Sequence, residues 1–211
     1  LDEELRRVLP ALEALEGIAT PVSVDTCRAE TARRELELGA RMVNDISALR
    51  MAPDMAGVVA DAGCACVLMH MQGTPRTMQR EPVYNDVIGD ICAFFDERLD
   101  AATAAGIREE NIWLDPGFGF GKTPAHNLEI LRRLGEFRRF GRPVLIGTSN
   151  KATIGAVLDA PVEDRLEGTA ATVAIAIAHG ADCVRVHDVR AMARVARMAD
   201  AIMSGRMPEN G

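Results

Sequence analysis

Apolar residues along this chain fall into two alternating patterns: short unbroken runs, and longer stretches in which they recur every three or four positions. The short runs are Pro21-Val22-Ser23-Val24-Asp25, Ala40-Arg41-Met42-Val43-Asn44 and Ala65-Cys66-Val67-Leu68-Met69-His70. They continue as Asn111-Ile112-Trp113-Leu114-Asp115, Pro143-Val144-Leu145-Ile146-Gly147 and Asp182-Cys183-Val184-Arg185-Val186-His187. Runs of this length, rich in β-branched or bulky side chains, predict strands buried on both faces, as in a parallel sheet. Between them the helical period predicts helices over residues 2–16, 27–39, 84–105, 125–139, 164–179 and 190–203. Gly39 is a natural helix stop. Gly39-Ala40, Ala62-Gly63, Ala105-Gly106 and Gly180-Ala181 read as helix-to-strand turns, not as units of a solenoid repeat.

Strand, helix and strand in regular succession demand a parallel sheet with crossover helices, so the fold class is α/β. No linker or shift in composition marks a second domain, and residues 1–211 are expected to form one. Six strands are predicted, whereas a (β/α)8 TIM barrel has eight and typically about 250 residues. The expected architecture is therefore a (β/α)8 barrel of which about six of eight βα units are present, the first two preceding this sequence. A doubly wound open sheet is the competing fold.

Composition narrows the class without changing the fold. The chain is 48 % hydrophobic and 26 % charged, with a formal net charge of −7. An acidic surface repels phosphate backbones, which argues against a nucleic-acid partner. No apolar run approaches the roughly 18 residues of a membrane span, so no membrane partner is expected. Cys27, Cys64, Cys66, Cys92 and Cys183 show neither a CxxC pair nor zinc spacing, which predicts structural thiols in a reducing cytoplasm.

The candidate chemistry sits where the strands end: Asp25, Asn44, His70, Asp115, Ser149 with Lys151, and Arg185 with His187. In a parallel barrel those ends converge on one face, where active sites are built. Each has an ordinary alternative; Asp25, for example, is a suitable N-cap for the next helix. Two carboxylates, an amide and a lysine suit a flat, nitrogen-rich heterocycle, since carboxylates accept from ring N–H groups and asparagine both donates and accepts. The segment Asp115-Pro116-Gly117-Phe118-Gly119-Phe120-Gly121-Lys122 has three glycines that let a ligand approach the backbone, but it lacks P-loop spacing. Gly147-Thr148-Ser149-Asn150-Lys151-Ala152 leaves a strand and opens a helix, a setting for an anion. Arg185 and His187 alternate on one strand and together suit a diphosphate. The alternative for His187 is a core histidine. His126 and His179 fall in helical stretches and read as packing or surface residues. His70 has no second ligand at metal spacing and reads as a structural or pocket-lining residue.

Taken in order, Ser23-Val24-Asp25-Thr26, Val43-Asn44-Asp45-Ile46, Leu68-Met69-His70-Met71-Gln72-Gly73, the Asp115–Lys122 segment and Arg185-Val186-His187-Asp188-Val189 resemble the dihydropteroate synthases, from about residue 20 to 203. Corrinoid-linked folate methyltransferases share only part of the pattern. The resemblance implies a transferase of folate biosynthesis and sulfonamide target. Such enzymes join 6-hydroxymethyl-dihydropterin diphosphate to 4-aminobenzoate. It implies Asp25, Asn44, Ile46, Met69, Asp115, Phe120, Gly147 and Lys151 at the pterin, and Arg185 and His187 at the diphosphate. Phe120, Ser149, Lys151 and Ala152 would border 4-aminobenzoate, and Asp25, Asp115, Lys151, Arg185 and His187 would carry the chemistry. It further implies Mg2+, with its ligand outside this sequence, and a homodimer built on the last helix. A pterin-binding module without turnover is the alternative.

Two departures stand out. Where the family usually has Ser-Arg-Lys-Ser, this chain has Ser149-Asn150-Lys151-Ala152, losing a cation and a hydroxyl. The Asn-Val-Thr-Pro-Asp-Ser-Phe and Ser-Thr-Arg-Pro type loop segments do not occur.

Overall fold

The computed structural model describes residues 1–207. They group into two compact units, the first formed by Leu1–His70 and Ala93–Leu114, the second by Met71–Cys92 and the chain from Asp115 onward.

The first unit opens with helix α1 (Asp2–Glu13). It continues as β1 (Ser23–Asp25), α2 (Ala29–Glu37), β2 (Met42–Asp45), α3 (Met55–Ala62) and β3 (Ala65–Met69). Helix α4 (Val87–Ala104) begins in the second unit and supplies the first with its later turns; β4 (Ile112–Asp115) follows. The strands hydrogen-bond in the order β1-β2-β3-β4, with the β1–β2 and β2–β3 pairs parallel. A doubly wound sheet reverses its strand order at a switch point. An unbroken sequential order is what a singly wound β/α barrel requires, so this part of the fold is that of a partial TIM barrel. Its core is strand-centred: Val43, Cys66, Val67, Leu68, Ile112 and Leu114 are fully buried, with Met55, Val59 and Phe95 from the helices. Burial of such side chains on both faces explains why the strands read as unbroken apolar runs.

In the second unit, α5 (Pro124–Arg132) leads through a 3-10 segment (Leu134–Phe140) to β5 (Leu145–Ile146). Helices α6 (Ala152–Leu158) and α7 (Leu166–Ala178), strand β6 (Cys183–Val184) and helix α8 (Val189–Ser204) complete it. Strands β5 and β6 pair in parallel. The single helix expected over 125–139 is thus two pieces. Arg133 leaves helical geometry at φ −112°, and Gly135 beyond it is a poor helix former. The start of α5 is secured by Thr123, whose Oγ1 accepts from the His126 backbone N–H while the His126 ring accepts from the Thr123 N–H. This reciprocal cap fits the packing role expected of His126. Among the described residues, no helix is long and apolar enough to cross a membrane.

Candidate active site

In the first unit, Asp25 and Asn44 end adjacent paired strands and face each other across the ladder. Asn44 Nδ2 donates to Asp25 Oδ1 at 2.5 Å. Asn44 is buried, and its Oδ1 has no protein partner among the described residues, an acceptor left for a ligand or water. Asp25 does not cap α2. The N-cap of that helix is Arg28, which makes no side-chain cap, and the Arg28 N–H donates to Thr26 Oγ1 instead. Ile46 is half-buried and Met69 buried beside these strand ends.

The next residue, Asp45, is fully buried and has a structural task that the sequence did not reveal. Its two oxygens accept from the N–H groups of Ser47 and Leu49 at 2.7 and 3.1 Å. Those bonds hold Ala48 and Leu49 in the left-handed region at φ 51° and 64°, a conformation that costs such residues energy unless neighbours over-determine it. His70 is buried with its ring edge-on to Phe94 at 4.9 Å, over which the Arg50 guanidinium also lies at 5.0 Å. Among the described residues, no group of three His, Cys, Asp or Glu side chains fits a metal ion.

The second unit holds the denser cluster. Asp115 is buried, its Oδ1 accepting from the Gly117 N–H at 2.7 Å. Burial pushes its pKa up to about 6, against the Gly117 bond and the pull of Lys122, Lys151 and Arg185. The loop after it coils tightly, with Gly117, Gly119 and Gly121 all at positive φ. Lys122 closes the loop: it is buried and donates from Nζ to the carbonyl oxygens of Gly117 and Phe120, both at 3.0 Å. Outer supports converge on the same loop. Asn127 Oδ1 accepts from the Gly119 N–H, Gln79 donates to the Gly119 carbonyl, and Tyr84 donates to that of Gly121.

Phe120 is half-buried, and the Lys151 ammonium lies 4.2 Å from the centre of its ring, a cation–π contact. Burial lowers the Lys151 pKa; Asp115 opposes that shift and Arg185 adds to it. Gly147, at the end of β5, leaves room beside Arg185: a Cβ there would come within 3.8 Å of the Arg185 side chain. Ser149 is buried, and its Oγ lies 2.8 Å from His187 Nδ1 and accepts from the His187 N–H at 3.2 Å. His187 is exposed, so it is not a core histidine. The β6 ladder ends at Val184, and Arg185 and His187 follow it, with the Arg185 N–H still donating to the Ile146 carbonyl.

Ala152 is exposed and begins α6, which has only seven residues. Its short dipole adds little for an anion, so the positive field here is set by Lys151, Arg185 and Lys122. Asn150, the departure noted above, sits at φ 56°, a conformation asparagine tolerates better than most residues. Thr169 Oγ1 accepts from its N–H, and Arg165 Nη1 donates to its carbonyl at 2.9 Å. The same guanidinium donates through Nε and Nη2 to the carbonyl of Ala160. Lys122, Asn127, Arg165 and Thr169 were not singled out by the sequence. Only Lys122, inside the glycine segment, left a visible signal.

A cavity of about 560 Å³ in the first unit is bordered by Leu12, Ile18, Pro21, Leu38 and Arg41. It lies at the residues leading into β1 and β2. In parallel β/α barrels that end serves stability and the opposite end carries chemistry, so its size does not make it the candidate site.

The model of a family described as pterin binding enzymes matches residues 1–187. The dihydropteroate synthase of Synechocystis sp. is 47 % identical over 204 residues, covering 96 % of this chain and 71 % of that protein. The crystal structure of the Yersinia pestis dihydropteroate synthase with a sulfonamide drug complex is 39 % identical. It superposes with a TM-score of 0.94 over 97 % of this chain and 75 % of that one. The Xanthomonas albilineans dihydropteroate synthase in complex with 7,8-dihydropteroate is 40 % identical, with a TM-score of 0.89 over 96 % and 75 % of the two chains. Sequence, strand order and strand-end residues therefore agree: the chain belongs to the pterin-binding enzyme family and, within it, to the dihydropteroate synthases.

Proposed function

We propose that this chain condenses 6-hydroxymethyl-7,8-dihydropterin diphosphate with 4-aminobenzoate, giving 7,8-dihydropteroate and pyrophosphate. The observation that carries the reading is the second-unit cluster, in which a buried carboxylate, Asp115, is accompanied by Lys122, Lys151 and Arg185. Asp115 accepts from pterin ring donors; in the first unit, Asp25 and, through its open Oδ1, Asn44 offer acceptors of the same kind. Gly147 and Phe120 offer backbone or apolar surface to the pterin, and Lys151 a donor; in the first unit, Ile46 and Met69 offer apolar surface beside Asp25 and Asn44. Arg185 and His187 bind the diphosphate.

In the reaction the 4-aminobenzoate nitrogen attacks the exocyclic methylene carbon, the carbon–oxygen bond to the diphosphate breaks, and the amine proton is lost. Positive charge building on the pterin is stabilised by Asp115, and negative charge on the departing pyrophosphate by Arg185 and His187. Ser149, held to His187, would border the 4-aminobenzoate with Phe120, Lys151 and Ala152. Mg2+ belongs to this reading as a supplement to the positive charge at the leaving group. Within this chain, Arg185 and His187 would share that charge with it. The enzyme would work in the cytoplasm on these small molecules.

Pyrophosphate release should appear only when both substrates are present. A folded protein that binds dihydropterin but releases no pyrophosphate would instead be a binding module. The exposed face of α8, with Met198, Ile202 and Met203 each more than half exposed, supports a homodimer built there. The expected result is a molecular mass by light scattering that falls from dimer toward monomer on dilution. A monomer at every concentration would remove the dimer.

A further inference from the structure

We propose that Lys122 is a positioning residue that keeps Asp115 ionised and fixes the loop between them. The proposal deepens the reading of Asp115 as a pterin acceptor and rests on that reading for its functional consequence.

Three observations carry it. Lys122 is only 3 % exposed, whereas lysine is almost never buried without a compensating partner. Its ammonium donates to two carbonyls of one turn, and one of these residues, Gly117, also donates its N–H to Asp115 Oδ1. A single residue is thus gripped on one side by the carboxylate and on the other by the ammonium. Third, of the cations acting on Asp115, Lys151 is half-buried against Phe120 and Arg185 is less buried than Lys122, so water screens both more than it screens Lys122.

The charged and titratable groups around the pair are Lys151 and Arg185 on Asp115, Lys151 on Lys122, and the Cys183 thiol, whose pKa Asp115 helps to raise. Burial pushes Asp115 up to about 6 and Lys122 down to about 7, and their mutual attraction opposes both shifts. Removing the ammonium should let Asp115 rise further; removing the carboxylate should let Lys122 fall further. The two effects are reciprocal because one coupling produces both.

The test is an NMR titration of the full chain, following the Asp115 carboxyl carbon and the Lys122 ε-carbon in 13C-labelled protein. In Lys122→Met the Asp115 midpoint should move up by about one pH unit or more. In Asp115→Asn the Lys122 midpoint should move down by a comparable amount. Lys151→Met should shift Asp115 less than Lys122→Met does. If Lys122→Met fails to fold, the Asp115→Asn arm decides alone, since asparagine keeps the shape of the site. An unmoved midpoint in either folded variant overturns the proposal. A purely structural role for Lys122 would leave the midpoint in place.

Neither arm needs substrate. Intact shifts in a protein that ignores dihydropterin would therefore sink the functional reading and leave the coupling standing. With dihydropterin added, the loss of binding on acidification should begin about one pH unit higher in Lys122→Met.

Discussion

Asp115→Asn will weaken dihydropterin binding by about 1–3 kcal/mol while raising the Tm of the unliganded protein. The first effect follows from hydrogen-bond inventory. An ionised carboxylate only accepts, and asparagine replaces one acceptor with an NH2 donor, so a ring donor of the pterin meets another donor. The second follows from linkage. The folded-state pKa of Asp115 is raised from 3.8 to about 6. The stability this shift contributes is therefore complete below the unfolded value and lost as pH rises through about 6. Above that pH the fold holds a buried charge against its desolvation cost, even with Lys122, Lys151 and Arg185 nearby. A neutral amide escapes that cost and still accepts from the Gly117 N–H. The Tm advantage of Asp115→Asn should widen between about pH 4 and 7. Calorimetric titration and melting curves across that range would check both halves. Unchanged affinity would remove Asp115 from the pterin site, and a lower Tm at pH 7 would mean that its attraction to the cations outweighs burial.

Gly121→Ala should destabilise the protein by about 2–5 kcal/mol. Gly121 has φ +62°, a region that costs an L-residue about 1–2 kcal/mol. A Cβ there would also stand 2.8 Å from the Gln72 carbonyl oxygen and 3.2 Å from its nitrogen. Both are backbone atoms, so relief requires moving the chain rather than turning a side chain. Gly141 provides the control, because it has the same φ of +62° and nothing within 4 Å of its Cβ position. Urea melts of the two alanine variants should differ by the steric part alone, about 1–3 kcal/mol. Equal losses would show that the loop can yield at Gln72.

Strands β2, β3 and β4 were legible because each is a largely apolar run buried on both faces, whereas β1 buries Val24 alone, between exposed Ser23 and Asp25. Less of β5 and β6 was legible: runs of five and six residues contract to ladders of two, Leu145–Ile146 and Cys183–Val184, with the Arg185 N–H bond to the Ile146 carbonyl just beyond them. Helix α3 escaped notice although its stop at Ala62-Gly63 was visible. Met55–Ala62 is apolar and small on most sides, and a short apolar stretch carries little helical period.

In the candidate site, polar residues ending apolar runs could be read directly, because a polar residue in such a place needs a reason. Residues that support them from a distance in sequence could not. Asn127 reaches Thr153, and Arg165 reaches Asn150, through contacts that no local pattern encodes. Lys122 was visible, but a lysine read from sequence is taken as a solvated one. Only the fold shows its charge directed at two carbonyls.

The Arg165 clamp has an evolutionary consequence. One guanidinium holds the carbonyl of Asn150, just before α6, and that of Ala160, just after it. The distance between those carbonyls is thereby fixed by a rigid planar group. Gly155 lies under its path, where a Cβ would fall within 3 Å of three guanidinium atoms. The outward side chain of Val157 is freer to vary than the length of α6. An inserted or deleted residue would break the guanidinium's hold on one of the two carbonyls. Substitution in this segment is therefore tolerated better than a change of length.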